Sequence, residues 1–299
     1  MELAKILERP TREANLDSFG SGMSCRPIAR LAPVAAHGAV RLEGMEAPAY
    51  LSPSSIGTYR DCPQKFKLSR IDKIPEPPSW AMHVGSFVHE VLEHLYQAPA
   101  EDRTQEHLKA LAAERWTAGN WEKRVMALRE RQGEIIDFKR QAFTCMTNLW
   151  TLENPQETEL DGMEHEVLVD VEGVAMKGYI DRFVFGDDGI IISDYKTGKV
   201  PNPAFKTEDD KFFQLLAYAA MLEAADQETT SKVQLLYLGV PVTHELAVTT
   251  VNLSIAKGTI VETREGIDAA VSAGEFPCNV TKLCGWCFYK SSGDCPAFK

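Results

Sequence analysis

The stretch that most limits how this chain can fold is Gly186-Asp187-Asp188-Gly189, followed at once by Ile190-Ile191-Ile192-Ser193-Asp194-Tyr195-Lys196. A short Gly/Asp turn between two apolar runs is a hairpin signal, so Val174–Phe185 and Ile190–Lys196 are predicted to be antiparallel neighbours. Strand side chains alternate, and Asp194 and Lys196 therefore leave one face while Tyr195 leaves the other. If Asp187 and Asp188 form the loop, Asp181 stands opposite Asp194. If the loop is Asp188-Gly189, it stands opposite Lys196. Both registers put Asp181, Asp194 and Lys196 on one face, and a three-residue loop would separate them. Carboxylates facing each other repel by about 0.2–1 kcal/mol even when exposed. A divalent cation between them removes the repulsion, and oxygen donors of this kind suit Mg²⁺ or Mn²⁺ rather than zinc. An acid pair with a lysine beside it fits phosphodiester hydrolysis, in which a cation polarises the phosphate and an ammonium offsets developing charge. The same residues also make an ordinary cross-strand ion pair at a surface.

The remaining composition narrows the setting. The 299 residues are 44% hydrophobic and 25% charged, as in soluble globular proteins. No apolar run approaches the roughly 20 residues that span a bilayer, and the N-terminus lacks a signal-peptide core, so a cytoplasmic location with no membrane contact is expected. A formal charge of -11 excludes a protein that coats nucleic acid through general basicity, but not one with a local basic groove. No Walker A pattern is present, so no helicase motor is expected within the chain.

Residues 1–48 read as a loose N-terminal extension, with a short helix around Leu3–Leu7 and a partner-binding tail as the alternative. Order is expected over 49–299. Ser52 is an N-cap candidate with Pro53 at the first helical position. Val84–Tyr96 carries an amphipathic stripe, with His89 and Glu93 on its flank. A helical insertion is expected at about 100–155. Then come strands Glu164–Val171 and Val174–Phe185 joined by Glu172-Gly173, a helix Asp209–Ala225, strands Val233–Val240 and Leu246–Leu253, and a helix Ile255–Ala273. The cysteine-rich end spans 276–299.

The ordered set Gly85-Ser86-Phe87-Val88-His89, Gly178-Tyr179-Ile180-Asp181-Arg182, Asp194-Tyr195-Lys196 and Gln214-Leu215-Leu216-Ala217-Tyr218 resembles the PD-(D/E)XK nuclease superfamily. Within it, the set is similar to the RecB-like branch that includes the CRISPR-associated RecB-like exonucleases. The resemblance covers about residues 50–299. It implies an α/β fold with a mixed central sheet flanked by helices. It further implies that His89, Asp181, Asp194 and the Tyr195 backbone carbonyl ligate a catalytic Mg²⁺ or Mn²⁺, that Lys196 is the catalytic lysine, and that Gln214 and Tyr218 brace the site or contact DNA. The acid of the D/E-x-K motif is Asp here, where many relatives carry Glu. Arg182 either pairs with a neighbour of Asp181 or meets a phosphate. Lys199, Lys206 and Lys211 either line a strand-binding groove or are solvated.

Of seven cysteines, Cys278, Cys284, Cys287 and Cys295 crowd the C-terminal end, a clustering that asks for a metal rather than disulfides. Cys284 and Cys287 form a C-x2-C, and Cys295 gives a third thiolate. Cys62-Pro63 resembles the first cysteine of the same nuclease branch, which implies a [4Fe–4S] cluster on Cys62, Cys284, Cys287 and Cys295. Cys278 is left outside that set, and a Cys₄ zinc site is the chemical alternative. Phe288, Tyr289 and Phe298 are expected to pack around the site.

The function implied is a metal-dependent DNA exonuclease acting on single-stranded or end-containing DNA in recombination, repair, replication or phage DNA processing, with a helicase or recombination protein as a possible partner. CRISPR adaptation, a non-catalytic iron–sulfur DNA-binding adaptor and a zinc protein acting on RNA are the rival readings.

Overall fold

The computed structural model describes residues 45–128, 133–202, 207–225 and 229–299. The Leu3–Leu7 helix, most of the 1–48 extension and Lys206 lie outside the described residues.

Five strands set the frame: β1 (Gly162–Val171), β2 (Val174–Gly186), β3 (Gly189–Lys196), β4 (Thr230–Tyr237) and β5 (Val242–Ala247). They lie side by side in chain order. β1, β2 and β3 form an antiparallel meander, β4 runs parallel to β3, and β5 returns antiparallel. The architecture is thus α/β with a mixed sheet. Strand β3 is central and buried on both faces. That explains the unbroken Ile190-Ile191-Ile192, because a strand covered on both sides gains from apolar residues at every position.

Helices cover the two faces differently. Helix α1 (Pro53–Asp61) and the short α2 (Pro63–Phe66) come first in the chain and send Ile56 and Phe66 to the core opposite the helical lobe, which covers one side of the sheet and is made of α3 (Trp80–Gln97), α4 (Gln105–Ala118), α5 (Trp121–Met126) and α6 (Ile135–Leu152). Its core gathers Phe87, Val88, Leu92, Trp116, Trp121 and Phe138, and it reaches the sheet through Tyr195, Leu236 and Leu238. On the other side, α7 (Glu208–Ala224) crosses over from β3 to β4, and α8 (Thr250–Ala273) packs beside it. The second core joins Ile190, Ile192, Phe212, Leu216, Val233 and Ile260. A short α9 (Phe288–Ser291) closes the cysteine-rich end.

Local rules account for most element boundaries. Ser52 caps α1 with a capping box and Pro53 at the first turn, which satisfies amide groups that a helix start leaves bare. Helix α3 begins at Trp80, before the start expected from its stripe, because Ser79 accepts a hydrogen bond from the Met82 amide. The strand expected over Leu246–Leu253 is shifted. β5 ends at Ala247, and Thr250 already opens α8. The cause is Thr249, whose side chain caps the helix while Asn252 bonds back to the Thr249 amide; this local box outweighs the apolar alternation.

The β1–β2 connection is a two-residue turn, Glu172-Gly173, with both residues at positive φ. The β2–β3 connection is the two-residue loop Asp187-Asp188, since Gly186 pairs with Gly189 and Arg182 with Ser193. Strand β2 is longer than β3. Its first half is flanked instead by Leu51, which exchanges backbone hydrogen bonds with Ala175 and Lys177. Between that bridge and the start of the β3 pairing, the edge of β2 from Gly178 to Asp181 is left for side chains. Among the described residues, no helix is long and apolar enough to cross a membrane.

Candidate metal centre

One residue beyond the last paired position, Asp181 on β2 comes opposite Asp194 on β3, with Lys196 on the same face. Asp194 is buried, 3% exposed. Oδ2 of Asp181 and Oδ2 of Asp194 are both buried and take no hydrogen bond. Lys196 Nζ makes an ion pair with Asp194 Oδ2, but not along a hydrogen-bonding direction. Burial first, and then the charge of Asp194, push Asp181 up to about 9. Two facing carboxylates, each with a buried oxygen that takes no hydrogen bond, have the chemistry to hold a cation.

His89 sharpens the same point. It projects from α3 and its Nε2 lies 2.9 Å from the Tyr195 carbonyl oxygen. A carbonyl only accepts, so Nε2 carries the proton and donates. Burial holds the imidazole below its ordinary value, so His89 is neutral near pH 7 and Nδ1 presents a lone pair. That lone pair faces Asp181 Oδ2 at 3.3 Å. Two acceptors at that distance need a shared proton or a metal ion between them. The donors on offer, one imidazole nitrogen and carboxylate oxygens, fit a divalent cation.

Sequence reasoning missed Glu164. Its carboxylate joins His89 and Asp181 in a group whose ligand atoms all lie within 4.8 Å of one another. The signal was available: with Glu172-Gly173 as a two-residue turn, the β1–β2 register brings Glu164 opposite Asp181. Glu164 also sits at φ 45, a left-handed backbone that costs a non-glycine residue about 1–3 kcal/mol and collects at functional sites. Burial raises its carboxyl, with Glu93 and then Asp194 adding to the shift. So Glu93, Glu164, Asp181 and Asp194 all bear on one small volume.

The other expected residues converge there too. Gln214 on α7 accepts a hydrogen bond from Lys196 Nζ at 3.2 Å and bonds the Tyr218 hydroxyl, which the Tyr179 backbone also reaches. Burial first, and then Asp181 and Asp194, push Tyr218 up to about 12, so it stays a neutral hydroxyl at physiological pH. The Tyr218 ring lies against the backbone of Gly178; a Cβ at that glycine would fall 2.6 Å from Cε1 of the ring. Glycine in Gly178-Tyr179-Ile180-Asp181 is therefore the space that Tyr218 occupies. Of the lysines, Lys199 is exposed, and Lys211 is turned to His244 at 2.8 Å, toward β5.

Arg182 does not meet solvent, as a phosphate contact would require. It is buried and forms a two-pronged ion pair with Glu153, with bonds of 2.6 and 2.7 Å, and donates to the Tyr195 hydroxyl at 2.7 Å. The Tyr96 hydroxyl bonds the same Glu153 carboxylate. The residues following Asp181 and Asp194 thus leave through the opposite face of the sheet and lock onto α3 and the end of α6.

Cys62, Cys284, Cys287 and Cys295 line a single cavity of about 220 Å³ between the α1–α2 junction and the C-terminal end. The Asn279 amide points at Cys62 Sγ at 3.5 Å and the Thr281 amide at Cys284 Sγ at 3.4 Å. Cys278, outside the expected ligand set, lines the same cavity with its thiol hydrogen-bonded to Cys295. Tyr289 is buried as expected and its hydroxyl bonds the Ile74 carbonyl at 2.9 Å, whereas Phe298 is 41% exposed.

A model of the PD-(D/E)XK nuclease superfamily matches residues 50–293. The chain is 26% identical to the Gene 69 protein of Mycobacterium phage L5, over 83% of this chain and 96% of that protein. It is 27% identical to the Gene 69 protein of Mycobacterium phage D29, over 52% of this chain and 65% of that one. A provisionally assigned exonuclease from Eubacterium rectale shares the fold, with a TM-score of 0.51 and 17% identity over 80% of this chain and 86% of that one.

Two measurements check the site's electrostatics. Asp181 binds its proton more tightly folded than unfolded, so its contribution is present below about pH 4 and is lost as pH rises toward about 9. In EDTA, the melting temperature should therefore fall from pH 6 to pH 9, and Asp181→Asn should flatten that slope and raise the metal-free melting temperature. A steeper slope in the variant would contradict this reading. Glu153→Ala leaves Arg182 charged and buried without its partner, and should destabilise the protein by about 3–5 kcal/mol in urea unfolding.

Proposed function

Because the chain belongs to the PD-(D/E)XK nuclease superfamily, we propose that this nuclease is a DNA exonuclease that depends on Mg²⁺ or Mn²⁺ and acts on single strands or free ends. One observation carries the metal requirement: the lone pair of His89 Nδ1 and the unpartnered Oδ2 of Asp181 converge 3.3 Å apart beside the equally unpartnered Oδ2 of Asp194. His89, Asp181, Asp194 and the second lone pair of the Tyr195 carbonyl would hold the ion, with Glu164 added to the expected set. When bound, the ion supplies a polarised phosphate oxygen and a more acidic water.

The chain's own residues do the rest. Asp194 and Gln214 together hold the Lys196 ammonium at the mouth of the site. There it can orient the attacking water and offset charge on the phosphate. Tyr218, a neutral hydroxyl with Gln214 as its partner, holds that glutamine in place rather than accepting a proton. Degradation from ends fits the exonuclease assignment of the Eubacterium rectale fold relative, and phage DNA processing is the favoured setting because both relatives are phage proteins. Recombination, repair or replication alongside a helicase follows from the RecB-like resemblance. A non-catalytic adaptor would have no need to keep His89, Asp181, Asp194, Lys196 and Gln214 in one constellation.

The cysteine cavity suits a [4Fe–4S] cluster on Cys62, Cys284, Cys287 and Cys295 better than zinc. Four sulfurs at about 2.3 Å from one zinc ion lie roughly 3.8 Å apart, yet no three of the described cysteine sulfurs come within 4.8 Å of one another. Amide groups aimed at two of the sulfurs stabilise thiolates. The cluster would tie the start of the domain to its end.

The decisive assay follows 5′- and 3′-labelled single-stranded DNA with Mn²⁺. The wild type should shorten it progressively, and Asp194→Ala should be slower by about 100-fold or more; equal degradation by both refutes the assignment. For the cluster, Cys287→Ser should lose iron and visible absorbance and lower the melting temperature, while turnover per folded molecule changes little. An iron-free wild type carrying stoichiometric zinc would overturn the cluster assignment.

A further inference from the structure

The C-x2-C turn exposes an indole that the metal centre does not use. Trp286 lies between Cys284 and Cys287 and is 82% exposed. Of the other tryptophans, Trp80, Trp116 and Trp121 are buried and Trp150 is partly so. Leu283 is 67% exposed and Val280 61%. With Phe298 they border the cysteine cavity and form one apolar rim. Soluble proteins leave such a contiguous rim open chiefly where something docks.

The rim is stiff. The turn Lys282–Trp286 is capped by Thr281, and its neighbour Asn279 bonds the Asp61 carbonyl at 2.9 Å. The rim is also basic: residues 276–299 carry Lys282, Lys290 and Lys299 against the single acid Asp294, in a chain of net charge -11. Lys290 Nζ lies 4.3 Å from the Phe298 ring centroid, and neither Lys282 nor Lys290 is in an ion pair among the described residues. A flat aromatic face flanked by free ammonium groups matches what unpaired nucleotides need, a stacking surface for a base and cations for its phosphates. The rim is linked to helix α7, which carries Gln214, through α1. Cys62 ends α1, and two residues earlier Arg60 pairs at 2.8 Å with Asp210, one helical turn before Gln214 on α7.

We infer that Trp286, supported by Leu283, Lys282 and Lys290, is a base-stacking platform that holds single-stranded DNA on the nuclease domain. The inference rests on the nuclease reading with DNA as substrate. The unpaired lysines favour an anionic partner over an apolar one, and the flat exposed indole beside them favours a nucleic acid, whose bases stack on it.

The test uses the full chain in EDTA, where no cleavage occurs, titrated with a thymidine oligonucleotide. Trp286 is the most exposed of the five tryptophans, so stacking should quench the intrinsic fluorescence. Trp286→Ala should abolish most of the quench and weaken binding by about tenfold or more, while Trp286→Phe, which keeps an aromatic face, should retain most of the affinity. Hydrolysis of a small phosphodiester with no base to stack should be the same in all three proteins. Leu283→Ala, with a milder loss, guards against a folding defect in the first variant, and melting curves with iron content complete the control. Wild-type affinity in Trp286→Ala overturns the inference and leaves the rim to a protein partner. Failure of the wild type to bind or cut any DNA overturns the nuclease reading instead, so the two outcomes are distinct.

Discussion

Two carboxyl groups, Asp181 and Asp194, face each other across a strand pair that cannot slide. Moving β2 against β3 by one residue would turn each side chain to the other face and pull Phe183 and Ile192 out of one core and Tyr195 out of the other. Burial on both faces of β3 therefore enforces a contact that electrostatics opposes. Without a cation the opposition is met by a proton and an ion pair: burial and the charge of Asp194 keep Asp181 protonated up to about pH 9, and Lys196 pairs with one oxygen of Asp194. A cation bound there would displace that proton and offset both carboxylate charges, which is how the fold would favour the proposed metal.

What keeps the strands from splaying is on the far side. Arg182 and Tyr195 follow the two aspartates, point away from them, and meet at Glu153, with Tyr96 completing the group. The arginine fork gives direction as well as charge, and its removal would expose a buried ion rather than merely delete a contact. Tyr195 serves both faces. Its phenol is anchored in the back network, and its backbone carbonyl accepts from His89 at the front. The helical lobe is thereby coupled to the orientation of the imidazole, although α4, α5 and α6 place no residue in the metal centre.

Much of this was legible in the chain. Alternation placed Asp181, Asp194 and Lys196 on one face in either of two loop registers, and the structure selects the Asp187-Asp188 loop, which sets Asp181 opposite Asp194. Ser52 and Pro53 marked the start of order. What escaped was whatever depended on a second register or on a contact remote in sequence. Glu164 is an ordinary strand acid until the Glu172-Gly173 turn sets it opposite Asp181. Glu153 carries no signal at all, since its role exists only when the end of α6 meets β2. The misplaced Leu246–Leu253 strand shows the converse, a short apolar alternation outweighed by the local cap at Thr249. Cys278 could not be separated from the other thiols by spacing, and the fold sets it beside Cys295 in the same cavity.

The charge of the chain then becomes part of the argument about substrate. A protein of net charge -11 repels a polyanion at long range. At physiological ionic strength that repulsion is screened beyond about 8 Å, so local groups decide binding. Four of those groups at the metal centre are acids: Glu93, Glu164, Asp181 and Asp194. Without a cation the centre would reject a phosphate, and with one it would attract it. If the proposed ion binds there, ion and DNA binding would be linked thermodynamically, each raising the affinity for the other by the same factor. Under the proposed metal-dependent reaction, the acidity of the site would make cleavage conditional on the metal and leave metal-independent contact with DNA to basic surface elsewhere on the domain.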